Sequence, residues 1–507
     1  MASLTPLDHH NFALLSRVHP PDWPTPHPAK VYNLVVIGGG TAGLVTAGGT
    51  GMLGGKVALV EKHLLGGDCT NVGCIPSKTL IRAARAAHKV RQAHRFGVMV
   101  PDGVGVDFPA VMERVRQVRA DISRNDSAER MRDEYGVDVF FGEARFTGPH
   151  TIALGDLTLR FKKAVIATGS SPVLPPIEGL DQVEALTNET IFNLTQQPRR
   201  LAVVGGGYIG CELAQAFGRL GTAVTLLQRG DRLLNTAEPE VSALLQRQLA
   251  DEGVDICLNA DVTRVEQRGE EKVIHCQTGG ETHCVTADAL LLSAGRAPNL
   301  AGLGLAQVGV EADPRQGILI DDYLQTSNPD IYAVGDCCMA WRFTHAADAA
   351  ARIAIQNALF APCGIGRRRL SELVMPSCTY TDPEVAHVGI SAEEAAARSD
   401  IRTFEVTLDD VDRAIADGET VGFAKIYLDK RRDKILGATV VAAHAGEMIN
   451  EITLAITQGL GLGAIADVIH PYPTQAEVIR KAAEEYSLAQ FTPLIKKLAA
   501  KWLAWRR

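Results

Sequence analysis

A short apolar strand running into a glycine-rich turn and a helix occurs twice in this chain, and no other feature restricts its fold as strongly. The first copy is Val35-Val36-Ile37-Gly38-Gly39-Gly40-Thr41-Ala42-Gly43, and the second is Val203-Val204-Gly205-Gly206-Gly207-Tyr208-Ile209-Gly210. Gly38, Gly40 and Gly43 fill the G-x-G-x-x-G spacing, as do Gly205, Gly207 and Gly210. Glycines at these positions allow a tight turn and a close backbone approach to a pyrophosphate, which rests on the helix N-terminus. Each copy is followed by a second apolar strand ending about 20 residues further on, so the pattern predicts two βαβ dinucleotide sites. The run Val31–Val60 contains Lys56 as its sole ionised side chain. Its many glycines and short apolar ends fit a buried βαβ unit rather than a membrane span.

The ends of the second strands differ in chemistry. Val57-Ala58-Leu59-Val60 leads to Glu61, a carboxylate placed to accept from a ribose 2′-hydroxyl. Val224-Thr225-Leu226-Leu227 leads instead to Gln228 and Arg229, where a guanidinium favours a 2′-phosphate. Between the copies lies Gly66-Gly67-Asp68-Cys69-Thr70-Asn71-Val72-Gly73-Cys74-Ile75-Pro76-Ser77-Lys78. Two cysteines in a glycine-bracketed turn precede a helix opened by Pro76, whose missing N–H costs nothing in the first turn. A thiol at a helix N-terminus is biased toward thiolate, so the pair reads as a redox dithiol.

This segment resembles the active disulfide of the pyridine nucleotide-disulfide oxidoreductases, flavoproteins such as lipoamide dehydrogenase, glutathione reductase and mercuric reductase. The resemblance implies an α/β fold with two Rossmann-like dinucleotide-binding domains, for FAD and NADPH, plus an α+β dimerisation domain. Glu61 suits the adenosine half of FAD, and Arg229 favours NADPH over NADH. Lys163–Gly169 and Leu291–Asn299 look like the family's crossover strands, which places Thr168, Gly169 and Gly295 at the cofactors. Ile331–Asp336 looks like its second flavin fingerprint, in which Asp336 accepts from the ribityl chain. The implied organisation is an N-terminal arm over 1–30, an FAD domain over 31–182 and a nucleotide domain over 183–302. An FAD return segment follows over 303–370, an interface domain over 371–490 and a tail over 491–507.

The same resemblance implies an electron path from NADPH through FAD to a Cys69–Cys74 disulfide. Cys74 would be the thiolate beside the flavin and Cys69 the interchange thiol. Lys78 would pair with Glu212 near the flavin, and Tyr208 would be the gating aromatic.

The C-terminal segment His470-Pro471-Tyr472-Pro473-Thr474-Gln475-Ala476-Glu477 departs from lipoamide dehydrogenases and glutathione reductases. Those enzymes place an imidazole where Tyr472 stands, oriented by a glutamate that Glu477 matches. A phenol, with a reference pKa of about 10, is a poor base at neutral pH. Mercuric reductases also carry tyrosine there, so the substrate expected is a thiophilic metal ion. His470 matches the first histidine of a His-x-His-Pro pattern and offers a second reading, a dihydrolipoyl dehydrogenase-like enzyme. A third is a membrane-associated quinone or metal reductase. The last cysteine is Cys378 and none precedes Cys69, so the paired tail and N-terminal cysteines of mercuric reductases are missing. Cys337-Cys338 form a vicinal pair, either a soft-metal ligand or two small buried hydrophobes.

A formal net charge of -8 speaks against a nucleic-acid partner, and ten cysteines in 507 residues are too sparse for a secreted disulfide scaffold. A cytoplasmic homodimer acting on a small molecule or metal ion is expected. The proline-rich N-terminus reads as a loose arm. From Phe491 to Arg507 there is no acidic residue. Leu494, Ile495, Leu498, Trp502 and Trp505 share one helical face, largely opposite Lys496, Lys497 and Lys501. This basic amphipathic helix would either lie on the inner membrane surface or dock on its own dimer.

Overall fold

The computed structural model describes residues 4–507, which divide into two compact units. One comprises the chain up to Asp231 together with Glu252–Leu373, and the other Arg232–Asp251 with Val374–Arg507. The first unit contains both glycine motifs. Its larger sheet has seven strands, in the order Asp138–Phe141, Val57–Glu61, Tyr32–Ile37, Leu157–Ile166, Thr151–Leu154 and Ala144–Gly148, with Ile331–Ala333 also paired to Leu157–Ile166. The strands around the first glycine loop are parallel, in the register Val36↔Leu59 and Val36↔Val165. Parallel strands covered on both faces need continuous apolar runs, and every residue of Val57–Glu61 is buried.

A second parallel sheet repeats the order: Asp255–Cys257, Ala223–Leu227, Arg200–Val204, Ala289–Leu292. In each sheet the strand feeding the glycine loop lies between its own βαβ partner and a later returning strand. A ligand crevice forms at that reversal of strand order. Ser170–Pro172 and Arg296–Pro298 pair as a two-stranded antiparallel ribbon, and Asp261–Arg268, Glu271–Thr278 and Glu281–Ala287 form a separate antiparallel sheet.

The N-terminal stretch differs from the expected loose arm. His9–Val18 is a helix, capped by Asp8 and burying Asn11, Leu14 and Val18. Arg116 of the helix Phe108–Ile122 bonds Asp8 (2.6 Å). Arg119, fully buried, donates to Asn11 (2.6 Å) and to the carbonyl of Asn71 (2.8 Å). The prolines that suggest an arm lie after this helix, and the cap and three buried residues are enough to fold the segment ahead of them.

The second unit is α+β. Its antiparallel sheet runs Pro376–Thr379, Glu384–Gly389, Ile435–Ala442, Phe423–Asp429, Ile401–Thr407. Val440 and Ile426 of the sheet share a core with Ile452 of Ala445–Gln458 and Ile479 of Glu477–Ala489. Buried Glu238 accepts from Tyr427 (2.8 Å) and Thr439 (2.5 Å) and lies 3.4 Å from buried Lys425, so each charge is compensated. The tail forms the predicted helix, Pro493–Trp505, with no buried residue. Among the described residues no helix is long and apolar enough to cross a membrane.

Candidate active site

The two glycine loops are near copies in backbone geometry. Gly38 has φ +105° and Gly205 φ +112°, and their N–H groups donate to Val60 and Leu227 at 2.8 Å each. A Cβ on Gly43 would stand 1.7 Å from the Gly38 carbonyl oxygen, and one on Gly210 1.9 Å from that of Gly205. These glycines let helix and strand pack together. The helices Thr41–Met52 and Tyr208–Leu220 begin after Gly40 and Gly207, and neither N-terminus has a side-chain cap. Exposed N–H groups at the end of a helix dipole suit a pyrophosphate, so both loops fit a dinucleotide.

The strand-end residues bind back to these loops. Glu61 accepts from the Gly39 N–H (2.5 Å) and the His63 N–H (2.6 Å). Burial pushes its carboxyl up, against both of those bonds. Gln228 occupies the matching place and accepts from the Gly206 N–H at 2.9 Å. Arg229 follows, exposed.

The cysteine segment is a broken helix rather than a turn. Cys69 lies in the short helix Gly67–Val72, and Cys74 is the first residue of the 19-residue helix Cys74–Gln92. Cys74 Sγ is 3.2 Å from Thr344 Oγ1. Its thiol is lowered to about 6 by the Cys69 hydrogen bond, then by Thr344 and the Lys78 charge, against burial. The same bond, with burial, raises Cys69. The bond between the two sulfurs therefore favours negative charge on Cys74 over Cys69. Lys78 donates to Glu212 at 2.7 Å, with Glu212 almost fully buried.

Asp336 accepts from Ser170 Oγ (2.7 Å) and lies 3.9 Å from Arg296. Thr168 Oγ1 donates to the Asn299 carbonyl (2.8 Å), and the Gly169 carbonyl accepts from the Asn299 N–H (3.0 Å). Gly295 takes φ +115° just before the ribbon. Tyr208, the first residue of its helix, is 39% exposed. Cys337 is buried, and its thiol donates to the Val334 and Ile166 carbonyls at 3.4 and 3.5 Å.

Two residues of this constellation were missed in the sequence. Thr344 begins the helix Thr344–Leu359 and reaches Cys74 across 270 positions. Arg296 bonds Ser170 (2.8 Å) and Asn188 (3.2 Å) and pairs with Asp68, next to Cys69. Arg296 sits in a crossover strand where a cation had no evident partner. Thr344 carries no local signal at all.

In the second unit, Tyr472 donates to Asp412 (2.7 Å), and this bond raises the phenol above its ordinary value. Glu477 does not share that bond. One of its carboxylate oxygens accepts from Arg480 at 3.0 Å, and the other is buried without a partner. The partner of residue 472 is Asp412, which lies 60 positions upstream. His470 has both ring nitrogens engaged, by Glu451 (2.8 Å) and the Val468 carbonyl (3.1 Å).

Paired glycine-loop sheets, a dithiol at a helix start and an α+β unit define a two-dinucleotide disulfide oxidoreductase. The family described as pyridine nucleotide-disulphide oxidoreductase matches residues 32–351, and its dimerisation domain matches residues 375–483. A mercuric reductase of Lysinibacillus sphaericus is 37% identical over 453 residues, 89% of this chain and 82% of that one. The dihydrolipoyl dehydrogenase of Geobacillus stearothermophilus is 34% identical over 456 residues, covering 89% of this chain and 95% of that one. The solved Cu(II) complex of the HOCl-induced flavoprotein disulfide reductase RclA of Escherichia coli is similar with a TM-score of 0.80 and 28% identity. It covers 90% of this chain and 99% of that one. The chain belongs to the pyridine nucleotide-disulphide oxidoreductases, FAD-dependent enzymes that use NAD(P)H. Its dimerisation domain indicates a homodimer.

Proposed function

We propose that this protein passes electrons from NADPH by way of FAD to the Cys69–Cys74 pair and on to a thiophilic metal ion. FAD takes the first glycine loop and NADPH the second, with Arg229 reading the 2′-phosphate. When bound, FAD supplies the exchange between a hydride and an electron pair that sulfur accepts. Two electrons and one proton open the Cys69–Cys74 disulfide. Cys74 keeps the negative charge, stabilised by Cys69, Thr344 and Lys78, and Cys69 keeps the proton. Cys69 is then the interchange thiol that meets substrate, and Tyr208 covers the flavin until the nicotinamide displaces it.

The observation that carries the acceptor is the environment of residue 472. A phenol held by Asp412 and raised above its ordinary value keeps its proton near neutral pH and is a poor acid toward a leaving thiolate, whose own pKa is lower. His470, bonded at both nitrogens, offers no free imidazole in its place. A soft cation bound as thiolates needs no general acid at that position, whereas a leaving thiol does. Mercuric reductases among the relatives and copper bound to RclA agree with such a substrate.

The test compares NADPH oxidation with mercuric ion in excess thiol, copper ion, lipoamide, glutathione disulfide and a quinone. The metal ions should be turned over and the disulfides poorly. Tyr472→His should raise lipoamide turnover, since acid–base catalysis contributes about 10²–10⁴-fold. Robust lipoamide turnover by the parent, abolished by His470→Ala, would replace this reading with a dihydrolipoyl dehydrogenase-like one. Quinone reduction without metal turnover would favour the quinone reductase. The exposed tail helix, basic and apolar on opposite faces, is assigned to an anionic membrane surface by the same proposal.

A further inference from the structure

The antiparallel sheet Asp261–Arg268, Glu271–Thr278, Glu281–Ala287 carries a second cysteine centre, outside the electron path. Cys284 and His275 are directly opposite in register, and Cys284 Sγ lies 3.2 Å from His275 Nδ1. His275 Nε2 lies 3.0 Å from Glu266 Oε1, on the third strand. Arg268 and Arg264 bracket the same carboxylate, Arg264 at 3.4 Å. Cys284 is exposed, while His275 and Glu266 are mostly covered.

Cross-strand neighbours on an exposed sheet meet by geometry alone, and a Cys–His pair by itself would mean little. What sets this pair apart is the relay behind it. A carboxylate accepting from Nε2 fixes the imidazole proton there, leaving the Nδ1 lone pair directed at the thiol. Glu266 is kept ionised by its bond from His275 and by Arg268, so it holds that tautomer. A nucleophile, a base within hydrogen-bond reach and a third group orienting the base is the arrangement that activates a thiol. Cys363, the other exposed cysteine, has no histidine bonded to its sulfur among the described residues.

We propose that Cys284 is a reactive thiol that forms mixed disulfides with small-molecule disulfides, with His275 as its base and Glu266 as the positioning residue. The Cys284 proton passes to His275 Nδ1. The thiolate attacks one sulfur of R–S–S–R, the Cys284–S–S–R bond forms as the S–S bond breaks, and the leaving R–S⁻ takes the proton from Nδ1. One disulfide is exchanged for another with no net change in oxidation state, and excess thiol reverses the step.

The oxidised holoenzyme, with Cys69–Cys74 as a disulfide, supplies the test. It is treated with hydroxyethyl disulfide, a neutral probe, and the modified cysteines are quantified by peptide mass spectrometry, with Cys363 as internal reference. An ordinary thiol is about 3% ionised at pH 7, so full activation allows up to about a 30-fold gain. Cys284 should react at least about tenfold faster than Cys363 at pH 7. The charged groups facing the pair are Glu266, Arg264, Arg268 and, through Arg264, Glu178. His275→Asn should bring the ratio to about one at pH 7, and Glu266→Gln should lower it while the Cys363 rate stays as in the parent. Equal rates for the two cysteines in the parent, or a ratio unmoved by His275→Asn, would overturn the proposal. Bound flavin and NADPH oxidation, unchanged in both variants, show that the fold is intact. Because neither residue lies on the electron path, failure here leaves the proposed function untouched.

Discussion

The two glycine loops share a backbone and differ in what surrounds them. The Gly66 N–H donates to the Gly39 carbonyl (2.9 Å), and Gly67 lies against Gly40, so the cysteine segment covers the first loop. A Cβ on Gly207 would meet nothing within 4 Å, and the neighbouring Tyr208 is partly exposed. At the strand end, buried Glu61 accepts from the Gly39 and His63 N–H groups, whereas the less buried Gln228 accepts from the Gly206 N–H and leads to exposed Arg229. A covered loop suits a cofactor that stays through many turnovers, and an open one suits a nucleotide that must leave after each. On the proposed assignment of FAD to the first loop and the nicotinamide nucleotide to the second, one motif makes a holding site or an exchange site according to what packs over it.

The sharpest way to break the comparison is to fill the glycine that joins helix to strand. Gly210→Ala places a Cβ 1.9 Å from the Gly205 oxygen, a clash worth about 3 kcal/mol or more. We expect retained flavin absorbance with NADPH oxidation lost by about 100-fold. Gly43→Ala, at 1.7 Å, should instead lose the flavin. If Gly210→Ala loses flavin as well, the two sites are not separable.

Next in size is the choice of nucleotide. On the proposed reading, Arg229→Glu replaces attraction to a 2′-phosphate with repulsion, and charged hydrogen bonds contribute about 1.5–3 kcal/mol. The kcat/KM ratio of NADPH to NADH should therefore fall about 10–100-fold. Gln228→Glu, which gives the second loop the acid of the first, should shift the ratio the same way by less. A parent enzyme that already prefers NADH would contradict the assignment of Arg229.

Lys78–Glu212 joins the cysteine helix beside the first loop to the helix of the second. On two-electron reduction we expect a long-wavelength thiolate–flavin band that Cys74→Ser abolishes while FAD remains. In the parent the band should persist down to about pH 6 and vanish below it. Lys78→Met should move that midpoint upward, since it removes a charge that favours the thiolate. Because the folded thiol ionises below its ordinary value, the thiolate's contribution to stability of the reduced protein is complete above the ordinary thiol pKa. It declines as pH falls through about 6. A midpoint near 8.5, the ordinary thiol value, would show that Cys74 is not the stabilised sulfur.

The smallest effect concerns the tail. Truncation after Gln490 removes no buried residue, so Tm, flavin content and both loops should be unchanged, while binding to anionic vesicles is lost. Equal vesicle binding by both forms would leave the tail as a helix that docks on the dimer.

The loops, their strands and the start of the cysteine helix were legible in the sequence. Each depends on backbone rules that act over a few residues: φ > 0 and close packing at glycine, apolar runs for parallel strands, proline in a first helical turn. The Lys78–Glu212 pairing was legible through resemblance. The N-terminal helix departs from the loose arm that its following prolines suggest, because Asp8 caps it and Asn11, Leu14 and Val18 are buried.

Local rules say nothing of partners distant in sequence. Thr344 beside Cys74, Arg296 joining Asp68 to Ser170, Asp412 taking the phenol of Tyr472, and Glu266 behind His275 and Cys284 were set only when the sheets and helices packed. The sequence by itself determined that two dinucleotide loops and a dithiol exist here. The tertiary structure decided which loop is covered, which hydroxyl reaches the Cys74 sulfur and which proton carriers are already engaged. Burial and hydrogen bonding set those properties, and both depend on which distant residues pack together.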